Sequence, residues 1–236
     1  MHFVNPLTAI GLVERITLPG AQAAIQTAAC SQLGRMIVRL CQSSRIPLIN
    51  IVRRDEQVKI LKEEFGQKYV LNQNSETFKQ DLKNLAIDLR ATVLLECVGG
   101  TMSAELLECM PARSTCVLYG SLREVALEGF DPLLLIGRGY TLDSFILGEY
   151  VKSKGLTGIL PLINQATALM NDETLQSTIQ RKICFSQFKE GIEDYYKNMT
   201  AGKFILNPHA HDEVLDNAEP MDAIFSVFDI KGLTSD

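Results

Sequence analysis

The chain has 236 residues, enough for one large domain or two small ones. Hydrophobic residues make up 46% and charged residues 22%, which is typical of a globular protein with a buried core. The net charge of −5 argues against nucleic acid or an anionic membrane as the main partner. No apolar run reaches the roughly 18 residues that a membrane-spanning helix needs. Since the first residues lack the pattern of a secretory signal, we expect a cytoplasmic or mitochondrial protein.

Short strands alternate with amphipathic helices along most of the chain. A first helix runs from Asn5-Pro6 to about Glu14, and Pro19-Gly20 forms a turn. Strands are predicted at Ala23–Thr27, Pro47–Val52, Tyr69–Leu71, Thr92–Val98, Thr115–Tyr119, Leu142–Leu147 and Phe204–Leu206. Helices are predicted around Leu33–Cys41, from Asp55 to Gly66, and at Phe78–Leu89, Met102–Cys109, Leu160–Met170 and Phe188–Lys197. This alternation predicts an α/β fold, a doubly wound parallel (Rossmann) sheet of about six strands.

The composition changes near residue 208. We therefore predict one domain with this Rossmann sheet over residues 1–208, including the short N-terminal helix, and an acidic tail over residues 209–236. Within that tail, Met221–Phe228 is apolar again and is a candidate docking helix.

The six cysteines lie mostly inside apolar segments, and none forms a C-x-x-C pair. We therefore expect buried, reduced thiols. No Cys/His cluster has the spacing of zinc ligands, and His209, His211 and Asp212 belong to the polar tail. The sequence thus predicts no metal site and zinc-independent chemistry.

A turn of small residues, Thr27 to Gly34, follows the first strand and leads into a helix. Small residues permit the bend and let backbone N–H groups approach phosphate oxygens at the positive end of the helix dipole. Gly34 lets the helix pack closely, although Ala28 and Ser31 replace two of the three usual glycines. The residues predicted to hold a pyrophosphate are Ala29, Cys30, Ser31, Gln32 and Leu33.

Two arginines, Arg53 and Arg54, follow the second strand, where a fold of this kind reads the ribose 2′ position. NADH users carry an acidic residue there, whereas this chain has Val52. An arginine pair can bind a 2′-phosphate through charge-assisted bonds, which favours NADPH. The alternative is that both arginines are simply solvated at a strand end.

Six short segments occur in an order that resembles the cofactor-binding half of the medium-chain dehydrogenase/reductase superfamily. They are Asn5-Pro6-Leu7-Thr8-Ala9, the Ala28–Gly34 turn, Val98-Gly99-Gly100, Val117-Leu118-Tyr119-Gly120, Phe145-Ile146-Leu147 and Met199-Thr200-Ala201-Gly202-Lys203. The chain is most similar to the zinc-free branch, which contains the quinone oxidoreductases and the mitochondrial-type 2-enoyl thioester reductases. Quinone oxidoreductases usually add a tyrosine after the third strand, where this chain has Asn72-Gln73.

The resemblance implies a place for each of these segments at the cofactor. Thr8 lies beside it; Gly99, Gly100, Tyr119 and Gly120 line the adenosine and nicotinamide edges; Phe145 and Leu147 contact the nicotinamide end; and Lys203 closes the site. The implied reaction is hydride transfer from NADPH to a conjugated carbonyl, a quinone or a 2-enoyl thioester. The residues supply binding and orientation, and none is identified as the general acid.

Members of the superfamily begin with a separate barrel-like domain that carries much of the substrate pocket, whereas this chain starts four residues before the Asn-Pro motif. We therefore keep an alternative function, a non-catalytic accessory or scaffold subunit of a larger assembly. Relatives often pair the strand equivalent to Leu142–Leu147 across a twofold axis. The resemblance thus implies a homodimer, or else a protein partner that replaces the separate domain.

Overall fold

The computed structural model describes residues 4–17, 22–172, 174–175, 177–197 and 202–207. Its contacts divide the chain into two compact units, with the division between Gln176 and Ser177. In the first unit, the elements are α1 (Val4–Ile16), β1 (Ala23–Gln26), α2 (Gln32–Ser43), β2 (Leu48–Val52), α3 (Asp55–Glu63), β3 (Val70–Asn72), α4 (Phe78–Asp88), β4 (Ala91–Glu96), α5 (Met102–Glu108), β5 (Thr115–Leu118), α6 (Pro132–Arg138), β6 (Thr141–Ser144), α7 (Leu147–Ser153) and α8 (Gly155–Asn171). Strands and helices alternate in the predicted order up to β5, and the helices α6 and α7 were not predicted.

The six strands of this unit form one parallel sheet in the order β3-β2-β1-β4-β5-β6. Every residue of β1 and β2 is buried, as expected for central strands with helices on both faces. One apolar core contains Leu12 of α1 and Ile37 of α2, and a second core contains Leu82 of α4 and Leu106 of α5. The predicted doubly wound sheet is confirmed. The order reverses direction at β1 and β4, which creates the crevice where such sheets bind ligands.

The region between β5 and α8 differs from the prediction in its boundaries. The apolar run that begins at Pro132 forms α6, because Asp131 caps the helix by accepting a hydrogen bond from Leu133 N–H and Pro132 suits the first turn. The strand predicted at Leu142–Leu147 ends at Ser144, and α7 begins at Leu147. Helix α8 begins at Gly155 rather than at Leu160, with Pro161 inside it.

The second unit contains β7 (Ile179–Ile183), a short 3-10 helix (Phe185–Gln187), α9 (Phe188–Lys197) and β8 (Lys203–Leu206). Strand β7 was not predicted, because its sequence IQRKI is largely polar and four of its five residues are not buried. The last predicted strand exists as β8, but it pairs in parallel with β7 in a separate two-stranded sheet. The 1–208 domain boundary stays a prediction. The predicted turn Pro19-Gly20, residues 199–201 and the whole tail 209–236 lie outside the described residues.

Two further features concern the burial of the cysteines and the apolar character of the helices. All six cysteines are buried, as predicted. Within the described ranges, no helix has the length and apolar character needed to cross a membrane.

Candidate functional site

The turn between β1 and α2, which the sequence predicts to bind phosphate and which we call the phosphate turn, bends without a glycine before Gly34. Ala28 adopts a left-handed backbone conformation with φ of 49°, and its carbonyl accepts a hydrogen bond of 2.9 Å from Ser31 N–H. The hydroxyl of Ser31 accepts from Gly34 N–H at 3.0 Å and caps α2. Ala28 therefore supplies the bend that a glycine would supply in other turns, at the cost of a less favoured backbone conformation.

Gly34 allows the closest approach in the turn. A Cβ atom at this position would lie 2.5 Å from the carbonyl oxygen of Ala29 and 2.7 Å from that of Ala28. Because both neighbours are backbone atoms, the first turn of α2 and the phosphate turn can pack this closely only around glycine. This confirms the role that the sequence suggested for Gly34.

The predicted pyrophosphate residues differ in exposure. Ala29, Cys30 and Gln32 are buried, whereas Ser31 and Leu33 are partly exposed. Arg35 donates from Nε to the carbonyl oxygen of Cys30 at 3.0 Å, which ties the turn to α2. Cys30 is therefore a packed turn residue, and contact of these five residues with a pyrophosphate stays a prediction.

Arg53 and Arg54 lie at the carboxyl end of β2, next to the phosphate turn, and both are exposed. The backbone of Arg53 is held on both sides by neutral amides. Its N–H donates to Oε1 of the buried Gln57 at 3.1 Å, and its carbonyl accepts from Asn74 Nδ2 at 2.8 Å. These two hydrogen bonds hold the backbone of Arg53, and so set the direction in which the side chains of Arg53 and Arg54 leave the end of β2.

The carboxyl end of β4 carries Glu96, which has no exposed surface and is the one charged side chain in the buried class among the described residues. Its Oε1 accepts from Val98 N–H at 2.7 Å, and its Oε2 accepts from Gly99 N–H at 3.1 Å. Thr27 and Ser103 donate their hydroxyls to Oε1 and Oε2 at 3.3 Å and 2.8 Å. The carboxylate therefore organises the loop that predicted site residues Gly99 and Gly100 belong to.

Gly99, Gly100 and Gly120 lie in the loops that follow β4 and β5, where Gly120 is exposed and the other two are buried. Gly99 and Gly100 have φ values of 81° and 67°, a conformation that favours glycine. A Cβ at Gly120 would lie 3.1 Å from the Cβ of Cys97. Gly120 therefore offers bare backbone at the surface, whereas the segment 121–125 packs against Gly99 and Gly100.

Tyr119 and Cys97 lie behind this surface and hydrogen-bond to one another. Burial raises the pKa of Cys97, and burial also raises the pKa of Tyr119 well above its usual range. Both groups are therefore neutral at physiological pH, and neither is a ready proton donor in this environment.

Thr8, Phe145 and Leu147 lie at another part of the first unit, where α1 approaches the end of β6. Thr8 and Phe145 are buried, and Leu147 is partly exposed. The Phe145 ring stacks at 5.4 Å from Tyr150 and lies so close to α1 that a Cβ at Gly11 would be 2.6 Å from its Cζ. A groove of about 560 Å³ runs between α1, the end of β6 and α7.

The remaining predicted site residue, Lys203, belongs to the second unit. Its Nζ lies 3.5 Å from the hydroxyl of Tyr195 within that unit. Its role in closing a cofactor site stays a prediction.

The structure thus brings together the phosphate turn, the arginine pair and the glycine loops of β4 and β5 at one edge of the sheet. Sequence reasoning missed Glu96, Gln57 and Asn74. A signal for Glu96 was present, since it is an acidic residue within the otherwise largely apolar strand predicted at Thr92–Val98. Gln57 and Asn74 carried no comparable signal, because polar residues after a strand are usually solvated.

No group of three or more His, Cys, Asp or Glu side chains that could hold a metal ion occurs in the part of the chain that the structure describes.

Comparisons with known proteins agree with this geometry. The family model described as zinc-binding dehydrogenase matches residues 33–165, more than half of the chain. The mitochondrial enoyl-[acyl-carrier-protein] reductase of Mus musculus is 28% identical over 208 residues, 86% of this chain and 55% of the mouse protein. The Xenopus tropicalis enzyme of the same name is 31% identical over 211 residues, 86% of this chain and 60% of that protein. The chain therefore spans a little more than half the length of these relatives.

Solved structures show the same fold. A protein from Mesorhizobium loti assigned as an NADPH:quinone reductase superposes with a TM-score of 0.79 at 26% identity, covering 88% of this chain and 59% of that one. The mitochondrial 2-enoyl thioester reductase heterodimer from Candida tropicalis superposes with a TM-score of 0.70 at 20% identity, covering 88% and 60%. At that lower identity the second likeness concerns the fold alone.

Proposed function

The chain belongs to the zinc-binding dehydrogenase family, as the cofactor-binding half of a medium-chain dehydrogenase/reductase, and on that premise we propose that it binds NADPH for hydride transfer to a conjugated carbonyl. The observation that carries this proposal is the arginine pair at the carboxyl end of β2. Arg53 and Arg54 are exposed beside the phosphate turn, and the backbone of Arg53 is held by Gln57 and Asn74. A 2′-phosphate is dianionic near neutral pH, so two adjacent guanidinium groups favour NADPH over NADH.

The backbone of the site fits a dinucleotide. Gly34 permits the close approach of α2 to the turn, and the capped first turn of α2 directs its dipole toward an anion there. Gly120 leaves bare backbone on the opposite side of the crevice, and the positive φ angles of Gly99 and Gly100 shape the loop beside it. Together these features provide positions for a pyrophosphate and for the flat ring systems on both sides of it.

The proposed role of the chain is therefore to bind NADPH, to orient it and to shield it from water. NADPH supplies the hydride when it is bound. The turn at Ala28–Gly34 holds the phosphates, Arg53 and Arg54 read the 2′-phosphate, and the glycine loops set the depth of the nicotinamide half. Tyr119 and Cys97 are poorly suited to act as a general acid at the site, because desolvation raises the pKa of both groups and so makes each a weaker acid.

The proposed acceptor is a 2-enoyl thioester or a quinone. The curated relatives act on enoyl-[acyl-carrier-protein], and the Mesorhizobium loti protein carries the name of a quinone reductase. NADPH oxidation by the full-length protein with a short 2-enoyl thioester and, separately, with a quinone distinguishes the two acceptors.

We also propose that the reaction needs no zinc. Metal analysis of the active protein, together with its activity after chelation, tests this proposal.

The cofactor proposal is tested by calorimetric titration of the purified chain with NADPH and NADH. We expect wild-type protein to prefer NADPH, and the double variant Arg53→Ala/Arg54→Ala to lose roughly thirtyfold in NADPH affinity with little change for NADH. The matched control is Lys59→Ala/Lys62→Ala, which removes two exposed cations from α3 without touching the strand end. Equal effects of the two double variants, or equal affinities of wild type for both cofactors, contradict the assignment.

A second candidate function, an accessory subunit that acts through assembly, is favoured by exposed apolar surface. Helix α6 has no buried residue, and Leu133 and Ile136 are 80% and 78% exposed. Such surface usually contacts a partner.

We also propose a homodimer in which β6 pairs with a second copy of the chain, since β6 pairs only with β5 among the described strands. Light scattering tests the dimer, and pull-down in cells tests another partner.

We propose the mitochondrion as the compartment, because the curated relatives are mitochondrial. Imaging of the tagged full-length protein tests it, and a cytosolic signal contradicts it.

A further inference from the structure

We propose that Glu96 is a positioning residue that fixes the loop Val98–Gly100 against the phosphate turn, and so determines affinity for the nicotinamide half of the cofactor. This inference rests on the proposed function, because it concerns how the same site binds NADPH. It is carried by one buried carboxylate and its four donors.

The carboxylate binds the backbone of its own loop. Val98 N–H and Gly99 N–H each donate to a different carboxylate oxygen, at 2.7 Å and 3.1 Å. Charge-assisted bonds of this kind are stronger than neutral ones, and Glu96 is shielded from water, so they are not weakened by solvent. The backbone of the loop therefore has one arrangement, although Gly99 and Gly100 would be highly mobile in an open chain.

The same carboxylate connects the loop to the phosphate turn. Thr27, the first residue of that turn, donates its hydroxyl to Glu96 Oε1 at 3.3 Å and accepts from Cys97 N–H at 3.0 Å. Thr27 N–H in turn donates to the Leu95 carbonyl at 3.1 Å. The ends of β1 and β4 are thus held together on both sides of the crevice that the cofactor crosses.

Only a carboxylate satisfies this arrangement. Each oxygen of Glu96 accepts one backbone N–H and one hydroxyl. A glutamine has one acceptor oxygen and one NH₂ group, so either orientation of its amide places NH₂ against Val98 N–H or Gly99 N–H. One buried backbone donor then loses its partner, and the loop must move to regain one.

The position of Glu96 in the sheet says which half of the cofactor depends on it. Arg53 and Arg54, which read the 2′-phosphate, follow β2 on one side of β1, whereas Glu96 ends β4 on the other side. With the pyrophosphate at the turn after β1, the adenosine lies toward β2 and the nicotinamide toward β4 and β5. Loss of Glu96 should therefore spare ligands that contain only the adenosine half.

The test compares two ligands and two variants by calorimetry on the full chain. We expect Glu96→Gln to bind NADPH about tenfold more weakly than wild type, and to bind adenosine 2′,5′-bisphosphate within about twofold of wild type. The matched control is Glu105→Gln, the same chemical change at a partly exposed residue of α5 that pairs with Lys79. It should leave both affinities unchanged. Hydrogen exchange of the Gly99 amide should accelerate in Glu96→Gln and not in Glu105→Gln.

Each other result has a distinct meaning. Equal losses for both ligands in Glu96→Gln overturn the inference, because they indicate a general defect of the fold. Unchanged NADPH binding in Glu96→Gln also overturns it, while the proposed function stands. Absence of NADPH binding by wild type overturns the proposed function itself, and the inference with it.

Discussion

The strand ends on the two sides of β1 handle charge in opposite ways. At the end of β2, the cations Arg53 and Arg54 are exposed and the backbone is fixed by neutral amides, Gln57 and Asn74. At the end of β4, the anion Glu96 is fully buried and accepts hydrogen bonds from the backbone of the glycine-containing loop that follows it. One side presents charge to a ligand, and the other uses charge to hold its own backbone.

The difference follows from what each side is proposed to recognise. A phosphate is recognised by charge, so the cations must remain accessible and accept some screening by salt. A flat, weakly charged ring is recognised by shape, so the backbone must be rigid and free of side chains. A buried carboxylate with satisfied bonds provides that rigidity without occupying the surface.

The largest expected effect concerns Gly34, which belongs to the turn between the two strand ends. In Gly34→Ala, the new Cβ would overlap the carbonyl oxygens of Ala28 and Ala29. We expect the turn to move, NADPH affinity to fall by roughly a hundredfold, and unfolding free energy to fall by about 2 kcal/mol. Calorimetry and denaturant unfolding measure the two effects.

The control for this variant is Gly137→Ala in α6, where nothing lies within 4 Å of the new Cβ. This change should leave binding intact and raise the unfolding free energy by up to about 1 kcal/mol. If Gly34→Ala left NADPH affinity and unfolding free energy as unaffected as Gly137→Ala does, the close packing of α2 on the turn would not be needed for binding at either strand end.

The response to salt separates the two sides next. Raising the ionic strength from about 0.01 M to about 1 M shortens the Debye length from about 30 Å to about 3 Å. The exposed arginines should then lose most of their advantage, so we expect the preference of wild type for NADPH over NADH to fall roughly tenfold. The affinity ratio between wild type and Glu96→Gln should stay constant, because Glu96 is buried. If the affinity ratio between wild type and Glu96→Gln changed with salt as strongly as the preference for NADPH, the two strand ends would not differ in how they use charge.

Sequence patterns predicted the end of β2, with its arginine pair, better than the end of β4, with its buried Glu96. The fully buried strands β1 and β2, the small-residue turn and the arginine pair are all local, so apolar runs and residue order were enough to predict them. The bonds of Glu96 join residues up to 69 positions apart, as for Thr27, and no local pattern contains that pairing. For the same reason the polar strand β7 was missed, since only its pairing with β8 makes it a strand.

A smaller effect is expected from Thr27→Val, which keeps the shape of the side chain and removes the hydroxyl. Cys97 N–H then loses its acceptor at 3.0 Å and Glu96 loses one donor, while both backbone bonds of the carboxylate remain. We expect NADPH affinity to fall about fivefold, because both hydrogen bonds of the hydroxyl are lost while the carboxylate still holds the loop. Thr167→Val, which removes an exposed hydroxyl of α8 that bonds the Ile163 carbonyl, should have no effect in the same titration. A loss larger than that of Glu96→Gln would assign the leading role to Thr27.

The smallest effect is expected on the β2 side, from Asn74→Ala. This change removes the hydrogen bond of 2.8 Å from Asn74 Nδ2 to the Arg53 carbonyl, while the bond from Arg53 N–H to Gln57 remains. Because Asn74 is exposed, water can replace its amide, so we expect the NADPH-to-NADH affinity ratio to fall only about twofold. Asn84→Ala, which removes a similar exposed amide from α4, is the control. A fall as large as that of the double arginine variant would mean that the direction of the cations, and not their charge alone, reads the 2′-phosphate.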